Sequence, residues 1–502
     1  MSGRRWACGV VLALVLTLGC QPVILHAPRD GAGAVEGPGG ALGDLVGMPP
    51  LGATAASFTL PPIVERRLDN GLTLLIVEDH TLPLVVFSLL MPGGSAFDPP
   101  EQGGVATITA SLLRKGTRSR SAEELAREIE FLGGVLGAGA GADFSNVSGE
   151  FLSKDLSRGF ELFADIALHP TFPEDELRRA RELMLAAIIA SREDSSAIAS
   201  RCFGAFLFGD HPYGRPSSGT EASLAALDRS AVQSFYQRHY VPDGAVLVVI
   251  GDATVDQLAS AAEGAFGGWN SRAGSPPLLP LPVRVSGRRL LVVDKPDANQ
   301  AHIRIGNVGI SRTDPDYVPA GVTTTILGGG FGSRLVDELR IKRSLTYGAW
   351  SGFNVHRMPG DFRAGTFTKV ETTGEALQVA LDVLTGFANE GATAAELARA
   401  QSLRTGQHPR KLETPGALAA SLASLFAYGL PRSDIEAYPG RVMDVTLEDV
   451  RRIAATYVPT EDAAIVIVGP ADTIAPQLAE FGPIERTTPE QCGTSGGPSA
   501  VR

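Results

Sequence analysis

The apolar positions of this chain follow two periods, and they do so twice. Leu74-Leu75-Ile76-Val77 and Leu84-Val85-Val86-Phe87-Ser88-Leu89-Leu90 are apolar runs of strand length. A helix over Ala106–Leu113 follows, and later a longer one over Leu177–Ile189, with apolar residues three and four apart. The same order returns downstream. Strand-like Arg289–Asp294 and Ala301–Ile305 precede a helix over Ala320–Leu327 and a helical stretch over Ala395–Leu403. The copies also close alike. His239-Tyr240-Val241-Pro242 and Thr456-Tyr457-Val458-Pro459 each break the chain ahead of a β-branched run, Val246–Ile250 and Ile465–Val468. Such uninterrupted runs read as strands buried on both faces. An amphipathic helix follows each, Val255–Phe266 and Ile474–Phe481.

One copy spans about residues 63–269 and the other about 288–484. Each predicts an α+β unit, an antiparallel sheet backed by helices. The organisation expected is a signal peptide at 1–19, a flexible tether at 20–57 and an N-terminal domain at 58–272. A linker at 273–284, a C-terminal domain at 285–484 and a disordered tail at 485–502 complete it. The Gly/Ser/Pro-rich segment Gly267–Pro282 is the natural hinge.

A length of 502 residues agrees with two or more domains, and 44% hydrophobic with 20% charged residues is a globular composition. The formal net charge of −11 leaves no basic surplus to displace counterions from phosphate, which argues against nucleic acid as a partner. Arg4 and Arg5 precede an apolar segment, Val10–Leu18, too short to span a bilayer. Thr17-Leu18-Gly19-Cys20 then resembles a bacterial lipobox, which implies lipidation of Cys20 and a membrane anchor. Gln21, not Asp, follows the cysteine, a pattern similar to that of outer-membrane lipoproteins facing the periplasm. Of the remaining cysteines, Cys202 lies in an apolar helical context and Cys492 in a Gly/Pro/Ser tail. No bridge between them is expected, and neither has CxxC spacing.

The string Gly104–Thr117, a Gly-rich lead-in, an apolar helix and a Lys115-Gly116-Thr117 exit, resembles the inverted zinc motif H-x-x-E-H of the insulinase/pitrilysin/mitochondrial processing peptidase family. The resemblance extends through Leu68-Asp69-Asn70-Gly71-Leu72, Gly209-Asp210-His211-Pro212-Tyr213-Gly214-Arg215-Pro216, Gly219-Thr220 and Phe235-Tyr236 with His239-Tyr240-Val241-Pro242. It implies paired α+β domains forming half of a clamshell around a peptide. It also implies that the two His positions of the motif fall on Thr107 and Ser111, and the catalytic Glu on Ala110. The third ligand, a Glu on the helix after Thr171-Phe172-Pro173, falls on Ile188. Neutral imidazoles and a carboxylate bind zinc and activate its water; these side chains do neither. His80, His169, His211, His239, His302, His356 and His408 are scattered, without an i, i+4 pair on any predicted helix, so no other zinc site is expected. His211, in His-Pro-Tyr, is expected to order a turn.

The second copy keeps a different signature. Gly328-Gly329-Gly330-Phe331 leads into a helix with Arg340, and Tyr347 follows. This resembles the family's substrate-side Arg/Tyr pair, which implies that Arg340 and Tyr347 face a zinc held by another subunit and donate to the substrate carbonyl, with Gly329, Gly330 and Phe331 beside them as substrate-binding residues. The bland alternative for Arg340 is a surface charge paired with Asp337 or Glu338. The Gly loop lacks P-loop and G-x-G-x-x-G spacing, so nucleotide binding is not expected. Three functional readings follow. The first is a non-catalytic, substrate-binding subunit of a heterodimeric zinc peptidase, with zinc in the partner. The second is an inert peptide-binding or scaffold lipoprotein, and the third an autonomous zinc endopeptidase.

Overall fold

Two six-stranded sheets, one from each copy of the repeat, organise the computed structural model, which describes residues 59–270 and 278–492. The expected signal peptide, Cys20 and the tether to residue 57 lie outside the described residues, as do hinge residues 271–277 and tail residues 493–502. The first sheet is built from β1 (Val64–Arg67), β2 (Thr73–Glu78), β3 (Leu84–Pro92), β4 (Val135–Ala140), β5 (Phe144–Leu152) and β6 (Val246–Gly251), lying side by side as β1-β2-β6-β3-β5-β4. The helices that matter for the site among those of this half are α1 (Val105–Leu112), α2 (Leu156–Leu168), α3 (Glu174–Ala190), α4 (Ser195–Phe208) and α5 (Val255–Phe266). The second sheet comprises β7 (Arg288–Asp294), β8 (Gln300–Val308), β9 (Ala349–Asn354), β10 (Asp361–Lys369), β11 (Ala463–Gly469) and β12 (Ile484–Thr487), in the order β12-β7-β11-β8-β10-β9. With it come α6 (Tyr317–Gly328), α7 (Thr373–Glu390), α8 (Ala394–Gln407) and α9 (Pro415–Ala427).

The α+β class and the tandem repeat hold, but each sheet is mixed rather than wholly antiparallel. β6 enters between β2 and β3, which run in opposite directions, so it must lie parallel to one of them. It pairs parallel with β2, Thr73 opposite Val246, and antiparallel with β3. β11 repeats this between β7 and β8, Arg288 opposite Ala463.

Each half lends a helix to the other. One face of the first sheet packs Leu74, Ile76, Phe87, Leu247 and Val249 against α1, α2, α3 and α5. Its opposite face, with Leu75, Val77, Val248 and Ile250, is covered by Leu418, Leu422 and Leu425 of α9 from the second half. Reciprocally, Leu291, Val293, Val466 and Val468 on the outer face of the second sheet meet Ile198, Phe203 and Phe206 of α4 from the first. Burial on both faces is why β6 and β11 are apolar throughout.

The C-terminal boundary differs from the expected one. Residues 484–487 form the edge strand β12, parallel to β7, so the tail from 485 is not disordered over its described part. That strand carries the chain back to α4, where Cys492 forms a disulfide with Cys202 (S–S 2.05 Å, Cα–Cα 5.0 Å), a bridge the sequence argued against. Ile474–Phe481 is also not one regular helix. A short α-helical turn, Ala471–Ile474, passes into a tighter helical run over Ala475–Phe481 that contains Pro476, whose missing N–H interrupts the α-helical pattern. No helix among the described residues is long and apolar enough to cross a membrane.

Candidate functional site

The first half-site is built around the start of α1. Gly104 enters the helix at φ +93°, and the Asp98 carboxylate accepts from the Gly104 and Ala106 N–H groups at 2.7 and 3.1 Å. Burial pushes Asp98 up to about 7, against these N–H groups and the nearby charge of Arg215. The Gly-Arg-Pro segment braces the same region, with Arg215 Nη1 donating to the Asp98 carbonyl at 2.8 Å. Gly219 is required there, since its φ is +73° and a Cβ would fall 2.3 Å from the Gly103 carbonyl oxygen.

On this scaffold the expected metal positions offer nothing to a metal. Thr107 Oγ1 donates to the Ser217 carbonyl at 2.7 Å, and Ser111 Oγ donates to the Ile108 carbonyl at 2.7 Å. Ala110 is fully buried among the core helices. α1 packs against α3, and Ile188 lies on the α3 stripe with Leu177 and Met184 that closes the core, so the position expected to correspond to the third ligand makes an apolar contact. Both hydroxyls serve backbone carbonyls, and a hydroxyl, a methyl, a hydroxyl and a branched alkyl side chain do not fit a zinc ion. Among the described residues no group of three or more His, Cys, Asp or Glu could hold a metal. His239 is a core residue beside Phe97 and Phe235, and burial, then Arg238, pushes its imidazole down to about 4.

His211 orders a turn, as its His-Pro-Tyr context suggests, by accepting from the Tyr213 N–H through Nδ1 at 3.1 Å. The consequence reaches across the domains. Tyr213 donates its hydroxyl to buried Asp143 at 2.7 Å. Asp143 also accepts from the Arg357 N–H at 2.8 Å and from the Tyr428 hydroxyl at 3.2 Å. Asp143 was not singled out from the sequence, because its partners lie far along the chain.

In the second half, α6 ends at a loop whose glycines are needed for close approach. A Cβ on Gly328 would lie 2.2 Å from the Ser351 nitrogen, and one on Gly329 would lie 2.5 Å from Thr325 Cα. Gly330 and Phe331 then carry the loop outward, with Phe331 73% exposed. Asp337–Lys342 forms a π-helical turn, a widened geometry often found at functional positions. Leu339 anchors it in the core, while the Arg340 guanidinium stacks over the Phe331 ring, 4.7 Å from the centroid. Lys342 pairs with both Asp337 and Glu338, and Arg340 makes no ion pair among the described residues. The surface-pair alternative for Arg340 therefore finds no support. Ser344, at φ +55°, turns the chain toward Tyr347, whose ring is 80% exposed. Arg340 and Phe331 are thus brought together, whereas no hydrogen bond among the described residues joins Tyr347 to them.

Comparison with known proteins places this geometry. Residues 73–221 match the family model of the insulinase family, peptidase family M16, and residues 226–403 match the model described as the peptidase M16 inactive domain. An uncharacterized zinc protease of Mycobacterium leprae is 30% identical over 78% of this chain and 88% of its own length. The non-peptidase homolog YmxG of Helicobacter pylori is 22% identical over 83% of this chain and 95% of its own. A crystal structure described as the peptidase M16 inactive domain from Pseudomonas fluorescens superposes with a TM-score of 0.77 at 27% identity, covering 82% of this chain and 98% of that one.

Proposed function

The chain belongs to the insulinase family, peptidase family M16, and from that premise we propose that it is the non-catalytic, substrate-binding subunit of a heterodimeric zinc peptidase. One observation carries the reading: the metal positions Thr107, Ala110, Ser111 and Ile188 are absorbed into backbone hydrogen bonds and core packing, while Arg340 stacks over exposed Phe331 with no ion pair among the described residues. A guanidinium and a phenol are fixed donors suited to a carbonyl oxygen on which charge develops. In this reading the metal and its water belong to a homologous partner, and Arg340 and Tyr347 supply the opposite wall. Both the relative named a non-peptidase homolog and the structure described as an inactive domain support a member without its own hydrolytic centre. The Cys202–Cys492 disulfide supports an exported protein, because such bridges persist in oxidising compartments.

The test is elemental analysis and peptide cleavage with the purified chain alone, then mixed with an H-x-x-E-H homologue encoded in the same genome. Zinc at background, no cleavage alone and cleavage by the mixture that exceeds the homologue's own are expected. Stoichiometric zinc with chelator-sensitive cleavage by the chain alone would overturn the proposal. A mixture no more active than the homologue would favour an inert scaffold.

A further inference from the structure

The helix pair that carries the lost metal positions in the first half has a counterpart in the second, and there it borders a charged cavity. α6 packs against α8 as α1 packs against α3, and between α6, α8 and β9 lies a cavity of about 320 Å³. Arg404, on α8, lines it. Its Nε and Nη2 both donate to the Tyr438 hydroxyl oxygen, at 2.9 and 2.6 Å, and its Nη1 donates to the Gly321 carbonyl and Thr325 Oγ1, at 3.0 and 3.1 Å. Every one of these acceptors is neutral. Gly321 makes room for the guanidinium, since a Cβ there would fall 2.4 Å from Arg404 Nη2.

Lys411, itself exposed to solvent, also lines this cavity and brings a second positive charge to it. Loss of water around its ammonium, and then the like charge of Arg404, hold it below the ordinary lysine value. No Asp or Glu is among the lining residues, and neither cation forms an ion pair among the described residues. The neighbouring Asp434 offers no relief, because Arg312 and Arg441 both engage it. Arg312 in turn stacks 4.0 Å over Tyr317, another wall of the cavity. Positive charge is therefore concentrated here in a protein whose formal net charge is −11. Like charges held together without a counter-ion are unfavourable, and an anion relieves that cost.

We propose that this cavity binds a small oxyanion, a carboxylate or phosphate headgroup, with Arg404 and Lys411 as its counter-charges. The Tyr438 hydroxyl, which accepts from Arg404 and has no acceptor of its own among the described residues, donates the orienting hydrogen bond. The apolar wall of Ile310, Phe353 and Leu403 accommodates a short carbon chain, and the volume admits only a small molecule. The site is independent of the peptidase reading.

Calorimetric titration of the purified full-length chain with inorganic phosphate, and separately with succinate, at ionic strength held constant with sodium chloride, tests this. Saturable binding of at least one anion is expected, and whichever binds identifies the headgroup. Lys411→Met should weaken it about tenfold or more, the scale of one lost charge-assisted contact. Lys154→Met, on the first half, should leave it unchanged. Arg404→Gln should abolish binding; because Arg404 also ties α8 to Tyr438, Lys411→Met decides the matter if that variant misfolds. Absence of saturable binding for both anions, or binding by Lys411→Met equal to the unmodified chain, overturns the assignment.

Discussion

The guanidinium of Arg340 lies 4.7 Å over the ring of Phe331, so the end of the Gly loop and the π-helical turn behind it form one exposed unit. Stacking on an aromatic face orients a guanidinium without consuming its hydrogen-bond donors. With Asp337 and Glu338 both held by Lys342, the donors of Arg340 meet no carboxylate among the described residues.

Arg340→Ala and Tyr347→Phe should therefore matter only in an assembled, zinc-bearing complex. Loss of one transition-state donor costs about 10²–10³ in turnover, and a fall of that order in kcat is expected with zinc content and assembly unchanged. An effect confined to KM would assign the pair to holding the peptide instead. Kinetics of both variants within about twofold of the unmodified complex would remove the substrate-facing role.

The loop that presents Phe331 is pinned from behind by Arg334, which donates to both oxygens of Glu396 at 2.7 and 2.9 Å. Arg334 first, and then the Thr393 N–H and hydroxyl that Glu396 caps, hold its carboxyl down to about 2 from an ordinary 4.5. A depressed carboxylate contributes its full stability above the unfolded value and loses it as pH falls through the folded one. Glu396→Gln should lower stability at neutral pH by about 1–3 kcal/mol, the range for a partly buried charged hydrogen bond. In denaturant titrations at a series of pH values, this gap should close between about pH 4.5 and pH 2. A gap independent of pH would mean that packing, not charge, is what Glu396 supplies.

Reduction should loosen the C-terminal strand. Cys492 reaches Cys202 across 290 positions, and removing such a bridge costs about 2–5 kcal/mol. Cys202→Ser or Cys492→Ser should unfold at lower denaturant and be indifferent to dithiothreitol, whereas the unmodified chain should shift toward the variants when reduced. A midpoint for the unmodified chain that ignores reductant would contradict the bridge.

Lipidation at Cys20 is tested by fractionation. The unmodified protein should sediment with membranes at high salt, and Cys20→Ser should move to the soluble fraction, since one modified cysteine is the proposed anchor. Retention of the variant on membranes would point to a different attachment.

Much of the fold was legible because its determinants are local. β6 and β11 announce themselves as continuous apolar runs, and α1 was placed within one residue at each end. Other features were not legible because they depend on partners far along the chain. Nothing near Asp143 signals that the Tyr213 and Tyr428 hydroxyls and the Arg357 N–H converge on it from both halves. Nor does the composition around Cys492 reveal that β12 delivers it to α4.

The sequence by itself determined the repeat, the two α+β units and which side chains stand at the four positions aligned with the family's zinc motif. Whether Thr107, Ala110, Ser111 and Ile188 can hold zinc is a property of the side chains themselves. Only the tertiary structure decided that α4 and α9 are exchanged between the sheets and that the tail is stapled back. It alone also decided that Arg404 and Lys411 line one cavity with no carboxylate among the described residues that line it. An apolar helix can be read as something that must be buried, but which of two equally apolar sheet faces receives it is set by long-range packing. Charge balance is likewise a matter of neighbours in space: of Arg334 and Arg404, only Arg334 meets a carboxylate among the described residues.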